Sequence, residues 1–163
     1  MKRLKYLVLL LILIGIDQLT KYWATIQFSD DQSLSLIPKV LRFVYHENDG
    51  AAWGMFSGRA FLLSFITLVA VIVFAWVFFR LPTKSHYTPL RILLVFVAAG
   101  AIGNNLIDRI LFGHVIDFIY FELIDFPVFN VADCYITVST FVFAILALFY
   151  YKEDDFDFFK RKK

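Results

Sequence analysis

Asp117 and Asp133 lie 16 positions apart, in the contexts H-V-I-D-F-I and F-N-V-A-D-C, each beside a long apolar run. A carboxylate at the edge of hydrocarbon loses hydration, so it must be paired, protonated or at work. Two such groups brought together cannot both ionise cheaply, and a shared proton leaves one base and one acid. That pairing can activate water for hydrolysis. Taken alone, Asp133 reads equally well as the N-cap of the apolar segment after it.

The elements that must position these groups are membrane spans. Of 163 residues, 60% are hydrophobic and 18% charged, more apolar than a soluble domain of this length. The excess falls in long runs, about 4–24, 60–79, 90–112 and 131–151, each near the roughly 20 residues that cross a bilayer as a helix. The first and third runs carry polar groups: Asp17, Gln18, Thr20 and Lys21 in one, Asn104, Asn105, Asp108 and Arg109 in the other. Ionisable residues inside spans mark function by default. The basic start and apolar run Tyr6 to Ile16 imitate a cleaved signal peptide. No small-x-small site comes after it, and Asp17-Gln18 interrupts, so the first span is expected to be retained. The single cysteine, Cys134, excludes an internal disulfide.

Lys and Arg set the orientation. Lys2, Arg3, Lys5, Arg80, Lys84, Arg91 and the tail's Lys152, Lys160, Arg161, Lys162 and Lys163 fall on one side, against Lys39, Arg42 and Arg59 on the other. The positive-inside rule then places both termini in the cytoplasm. The polar ends of spans one and three, and the start of span four, meet at the outer face. Residues 25–59 alternate apolar and polar in Ser33 to Ile37 and in Leu41 to His46, with Pro38 between, the pattern of short strands. Residues 113–130, rich in Phe and Tyr, are expected at the interface. The fold class is thus a membrane all-α protein, one domain over 1–163. It has four transmembrane helices, a small extracytoplasmic β-sheet element, an interfacial segment and cytoplasmic termini. The tail E-D-D-F-D-F-F-K-R-K-K reads as a solvated end.

Five blocks succeed one another on this frame: D-Q-L-T-K at Asp17 to Lys21, N-D-G-A-A-W-G at Asn48 to Gly54, G-A-I-G-N-N-L-I-D-R at Gly100 to Arg109, V-I-D-F at Val115 to Phe118, and F-N-V-A-D at Phe129 to Asp133. Singly each is weak. Together, over nearly the whole chain, they resemble the lipoprotein signal peptidase (signal peptidase II) family of bacterial membrane aspartyl proteases. The resemblance implies an aspartic endopeptidase with Asp117 and Asp133 as its catalytic dyad and no cofactor. It also implies an active site at the extracytoplasmic face of the bacterial plasma membrane. The substrates would be diacylglyceryl-modified prolipoproteins, cut just before the lipidated cysteine. Expected partners are those substrates, membrane lipid and globomycin-type inhibitors, with no nucleic acid, the chain acting as a monomer.

The supporting residues carry alternatives. Asp17 and Lys21, four apart, share a helix face and form either a structural ion pair or part of the site. Asn48 and Asn130 could donate to substrate or to a carboxylate. Asn48-Asp49-Gly50 is also good turn chemistry, with Gly50 allowing close backbone approach. Arg109 pairs with Asp108 or reaches the site. The family pattern G-N-x-x-D-R is one residue longer here, so Asn104 and Asn105 compete for its asparagine. Helical spacing places Asn105 on the Arg109 face, which favours Asn105. Trp53 suits interfacial anchoring, or a lid. His46, His86 and His114 lack a metal-binding spacing, so no metal is expected. The rival reading is a small transporter or channel using Asp17, Lys21, Asp108 and Arg109 as a polar path, though no inverted repeat supports it. A non-catalytic assembly factor is a third.

Overall fold

A computed structural model describes residues 3–29, 32–50 and 55–159. Among them, four helices are long and apolar enough to cross a membrane. They are α1 (Leu4–Phe28), α2 (Ala60–Arg80), a composite third span (Ser85–Leu111) and α5 (Val131–Phe149). The third comprises a 3-10 turn, then α3 (Thr88–Ala101), a π-helical segment (Ile102–Asp108) and a short α4 (Arg109–Leu111). It is the most buried of the four, and α3 packs on α1, α2 and α5.

Lipid solvates leucine as well as a protein core does, so helices associate in a bilayer through close packing and polar contacts. Small residues supply the close packing here. Ala99 and Ala132 are fully buried where α3 crosses α5. At Gly100, a Cβ would stand 2.5 Å from the Ala132 backbone oxygen and 2.7 Å from Ile136 Cγ1. Backbone cannot step aside as a side-chain tip can. Gly100→Ala is therefore expected to lower stability by about 1–3 kcal/mol, read as an earlier melting transition in detergent. An unchanged transition would mean α3 and α5 are not so tightly apposed.

A three-stranded antiparallel sheet caps the bundle at the end opposite the termini, in the order β1 (Leu34–Ile37), β2 (Leu41–Asn48), β3 (Val115–Tyr120). β1 and β2 match the alternation legible in the sequence. β3 does not: it lies inside the segment read as interfacial, and pairs His46 with Asp117 and Asn48 with Val115. Phe118 explains its depth. It joins Phe43, Trp23 and Phe28 in an aromatic cluster, with Phe43–Phe118 centroids 5.8 Å apart and Trp23–Phe43 5.6 Å apart in edge-on contacts. The cluster also carries α1 to Phe28, beyond the apolar run. Because strand side chains alternate, burying Phe118 turns Asp117 to the other face.

The tail differs from a solvated end. Residues Glu153–Phe159 form a 3-10 helix that folds back on the loop before α3. There Tyr87 Oη donates to the Asp155 carbonyl at 2.9 Å and Phe156 packs on Tyr151. Phe156, set among the acidic residues, supplies the apolar contact.

Candidate active site

α5 begins at Val131, so Asn130 rather than Asp133 is its N-cap. Asn130 Oδ1 accepts from the Asp133 N–H, and Asp133 Oδ2 accepts from the Asn130 N–H, both at 3.0 Å. This capping box fixes the polarity of the Asn130 amide. Its Nδ2 must then point away from the helix, and it donates to Asp117 Oδ1 at 2.6 Å. Asn104 repeats the device from the third span. Its Nδ2 donates to Asp133 Oδ1 at 2.8 Å, while its Oδ1 accepts from Lys21 Nζ at 2.6 Å and from Asn130 Nδ2 at 3.0 Å. A lysine ammonium can only donate, so it admits one orientation of that amide. Asn48 Nδ2 completes the set, donating to Asp117 Oδ2 at 2.9 Å. Asp117 and Asp133 are thus joined through two amides, each locked in direction.

Beneath them lies a dry ion cluster. Lys21 Nζ is 2.8 Å from Asp17 Oδ2 and 2.7 Å from Asp108 Oδ2, all three side chains essentially inaccessible. Gln18 Nε2 donates to Asp108 Oδ1 at 2.8 Å, and Asp17 Oδ1 accepts the Ala132 N–H at 3.0 Å. Asp17 therefore ties α1 to the first turn of α5. A Cβ on Gly103 would fall 2.5 Å from Asp17 Oδ2, which is why a glycine faces it.

The π segment explains the doubled asparagine. An extra residue within a helix is absorbed as a π-bulge, which rotates the residues downstream of it and leaves backbone carbonyls short of partners. Ser64 Oγ donates to the Asn105 carbonyl at 2.6 Å. The bulge parts the two asparagines. Asn104, which helical spacing disfavoured, reaches Asp133. Asn105 Oδ1 accepts from Arg109 Nε at 2.9 Å. Arg109 in turn clamps the turn after β2, donating to the carbonyls of Asn48 (3.4 Å) and Gly50. The Gly50 N–H closes that turn on Asn48 Oδ1 at 3.0 Å. Arg109 thus acts on Asp117 through Asn48, and Asn105 acts one step further back. Trp53 lies outside the described residues.

Asp117 is buried, and the loss of hydration, reinforced by the nearby Asp133 charge, pushes its carboxyl from the ordinary 3.8 up to about 7. The pair lines a cleft of about 1160 Å³ whose other walls include Phe126, Phe129, Thr137 and Val138. Val138 is 60% exposed on the outer face of α5, so the cleft opens toward the surroundings of the bundle as well as its end.

A four-span membrane protein with two carboxylates, one buried and one half-buried, held by oriented amides has the parts of a hydrolase working at a membrane edge. The comparisons agree. The signal peptidase II family pattern matches residues 9–149. The lipoprotein signal peptidase of Nostoc punctiforme is 42% identical over 135 residues, covering 82% of each chain. That of Clostridium tetani is 37% identical, covering 91% of this chain and 95% of the relative. The Lactococcus lactis enzyme is 38% identical, covering 94% and 99%. Two solved bacterial membrane enzyme structures superpose with TM-scores of 0.78 and 0.74 at 30% and 33% identity, covering 98% and 91% of this chain and 93% and 94% of theirs. The chain belongs to the signal peptidase II family and is a multi-pass membrane protease. The transporter reading finds no support, and Asp17, Lys21, Asp108 and Arg109 gather around one site instead of tracing a path across.

Proposed function

We propose that this protein is an aspartic endopeptidase that removes signal peptides from diacylglyceryl-modified prolipoproteins, cutting before the lipidated cysteine. Asp117 and Asp133 form its dyad, and the site faces the extracytoplasmic side of the bacterial plasma membrane. The observation that carries this reading is the pair of carboxylates joined through Asn104 and Asn130 in a cleft open along α5. A signal-peptide helix can enter from lipid beside α5 while the acyl chains of the substrate stay in the bilayer.

Asp117 keeps its proton up to about pH 7, which makes it the acid of the pair. Asp133, at the positive end of the α5 dipole, is the base. Asp133 takes a proton from water as the water oxygen bonds to the scissile carbonyl carbon, and Asp117 gives its proton to the carbonyl oxygen. In the second step the C–N bond breaks and the proton held by Asp133 passes to the departing amine. The proton on the diol oxygen returns to Asp117. Asn48, Asn105, Arg109, Lys21 and Asp17 position the two carboxylates, and Gly50 holds the turn that carries Asn48.

The test is cleavage of a purified precursor by the purified protein in detergent, read as a gel shift. The diacylglyceryl-modified precursor is expected to be cut, the unmodified one to be left intact, and a metal chelator to change nothing. Protonated Asp117 is the active form, so kcat/KM is expected to fall as pH rises through about 7. A profile flat from pH 5 to 9 would remove Asp117 from the acid role, and cleavage of both precursors alike would remove the lipid requirement.

A further inference from the structure

α1 and α2 both pack on α3, and between them an apolar groove of about 460 Å³ opens on the side of the bundle. Leu7 and Leu10 form one wall, Ala75 and Phe78 the other, and Ala98 of α3 the floor. From Arg3 to Leu10 the α1 wall runs about 10 Å, at 1.5 Å per residue. The groove is far from uniform along its length, because Arg3 stands at its mouth. The Arg3 guanidinium lies over the Phe79 ring at 5.1 Å, which covers one face and leaves its N–H edge free. Lys5 and Arg80 lie at the same end, both exposed. Among the described residues no carboxylate pairs with any of the three. The first turn of α1 contains no acidic residue, and among the described residues no side chain caps its N–H groups.

A row of unneutralised cations and an uncapped helix N-terminus at the mouth of an apolar slot matches one kind of molecule in a membrane. We infer that the groove holds an anionic glycerophospholipid of the leaflet next to the chain's N-terminus. One acyl chain lies between α1 and α2, and the phosphate sits on the edge of Arg3 and the first-turn N–H groups of α1. A guanidinium presents two parallel donors to a phosphate, and an N-terminal helix turn adds further ones. A zwitterionic lipid offers the same chain, but its ammonium group faces three cations. The site lies at the opposite end of the bundle from the carboxylate pair, and the lipid serves as a structural ligand.

Native mass spectrometry of the full-length protein in detergent, titrated with dioleoyl phosphatidylglycerol or dioleoyl phosphatidylcholine, tests this. The first phosphatidylglycerol is expected to bind at least about fivefold more tightly, the gain of about one basic residue near an anionic headgroup. Arg3→Gln should bring the two lipids to equal affinity. Ala75→Phe, which fills the groove from an exposed position, should weaken the first binding event for both. Lys84→Gln, a basic residue outside the groove, should leave the preference intact. Prolipoprotein cleavage by each variant confirms that it is folded. Equal affinity of the wild type for the two lipids would overturn the inference. So would a preference that survives Arg3→Gln, or binding indifferent to Ala75→Phe.

Discussion

Asp117→Asn and Asp133→Asn are each expected to reduce cleavage of a lipid-modified precursor by at least about 1000-fold, within the range that general acid–base groups contribute. An amide keeps the shape of the side chain but can neither release nor take up the proton that the reaction needs. Both substitutions also disturb the fold. At Asp117 the new amide nitrogen would face the Asn130 or the Asn48 Nδ2 donor, so about 1–3 kcal/mol is at risk, offset in part by the loss of a buried carboxylate. At Asp133 the new amide nitrogen would face the Asn104 Nδ2 donor or the Asn130 N–H, and about 1 kcal/mol of the capping interaction is at risk. Single-turnover cleavage with melting curves for each purified variant separates the two effects. Activity within tenfold of wild type in either variant would sink the dyad.

Lys21→Met carries the largest expected cost in stability. Lys21 donates to Asp17 and Asn104 and forms an ion pair with Asp108, all buried, and it is the only cation in contact with these two carboxylates among the described residues. Removing one partner of a buried ion pair typically costs about 3–5 kcal/mol, since the remaining charge is stranded away from water. Here two carboxylates would be stranded. The double variant Lys21→Met/Asp108→Asn should recover part of the loss, because one of the stranded charges is gone. Unfolding in mixed detergent, run as a double-mutant cycle, measures that coupling. A single-variant loss below about 1 kcal/mol would show that the cluster is not the dry ion pair it resembles. Cleavage should fall as well, even in the double variant. Without the ammonium, the Asn130 Nδ2 donor at 3.0 Å alone is left to hold the Asn104 amide toward Asp133.

These two results probe one design from opposite ends. A bilayer offers no partners to a polar group, so each one carried into the bundle must be satisfied by another. The chain meets this demand with a continuous network from Gln18 through Asp108, Lys21 and Asn104 to Asp133, Asn130 and Asp117. The network holds the helices together and orients the site. On the proposed function its members serve both structure and function, so the two readings of Asp17 and Lys21 do not exclude each other.

The four spans were legible from the sequence alone, because hydropathy over some 20 residues is a local property that lipid enforces directly. The strands β1 and β2 were legible too, from period-two alternation around Pro38. So was the gathering of polar groups at one end of the bundle, a consequence of where they fall within the spans. Three features belonged to the tertiary structure. β3 is a strand because β2, some 70 residues earlier, supplies its hydrogen bonds and Phe43 and Trp23 receive Phe118. Its own residues, V-I-D-F-I-Y, carry the pattern of any apolar interfacial run. The partition of Asn104 and Asn105 depended on the π-bulge, and a helical wheel with 3.6 residues per turn cannot anticipate a turn that holds one more. The cap of α5 fell to Asn130 because the helix starts where Ala132 meets Asp17, a contact spanning 115 positions. Local pattern decides which segments cross the membrane. Which amide faces which carboxylate is settled by long-range hydrogen bonds, and no window of sequence contains both partners.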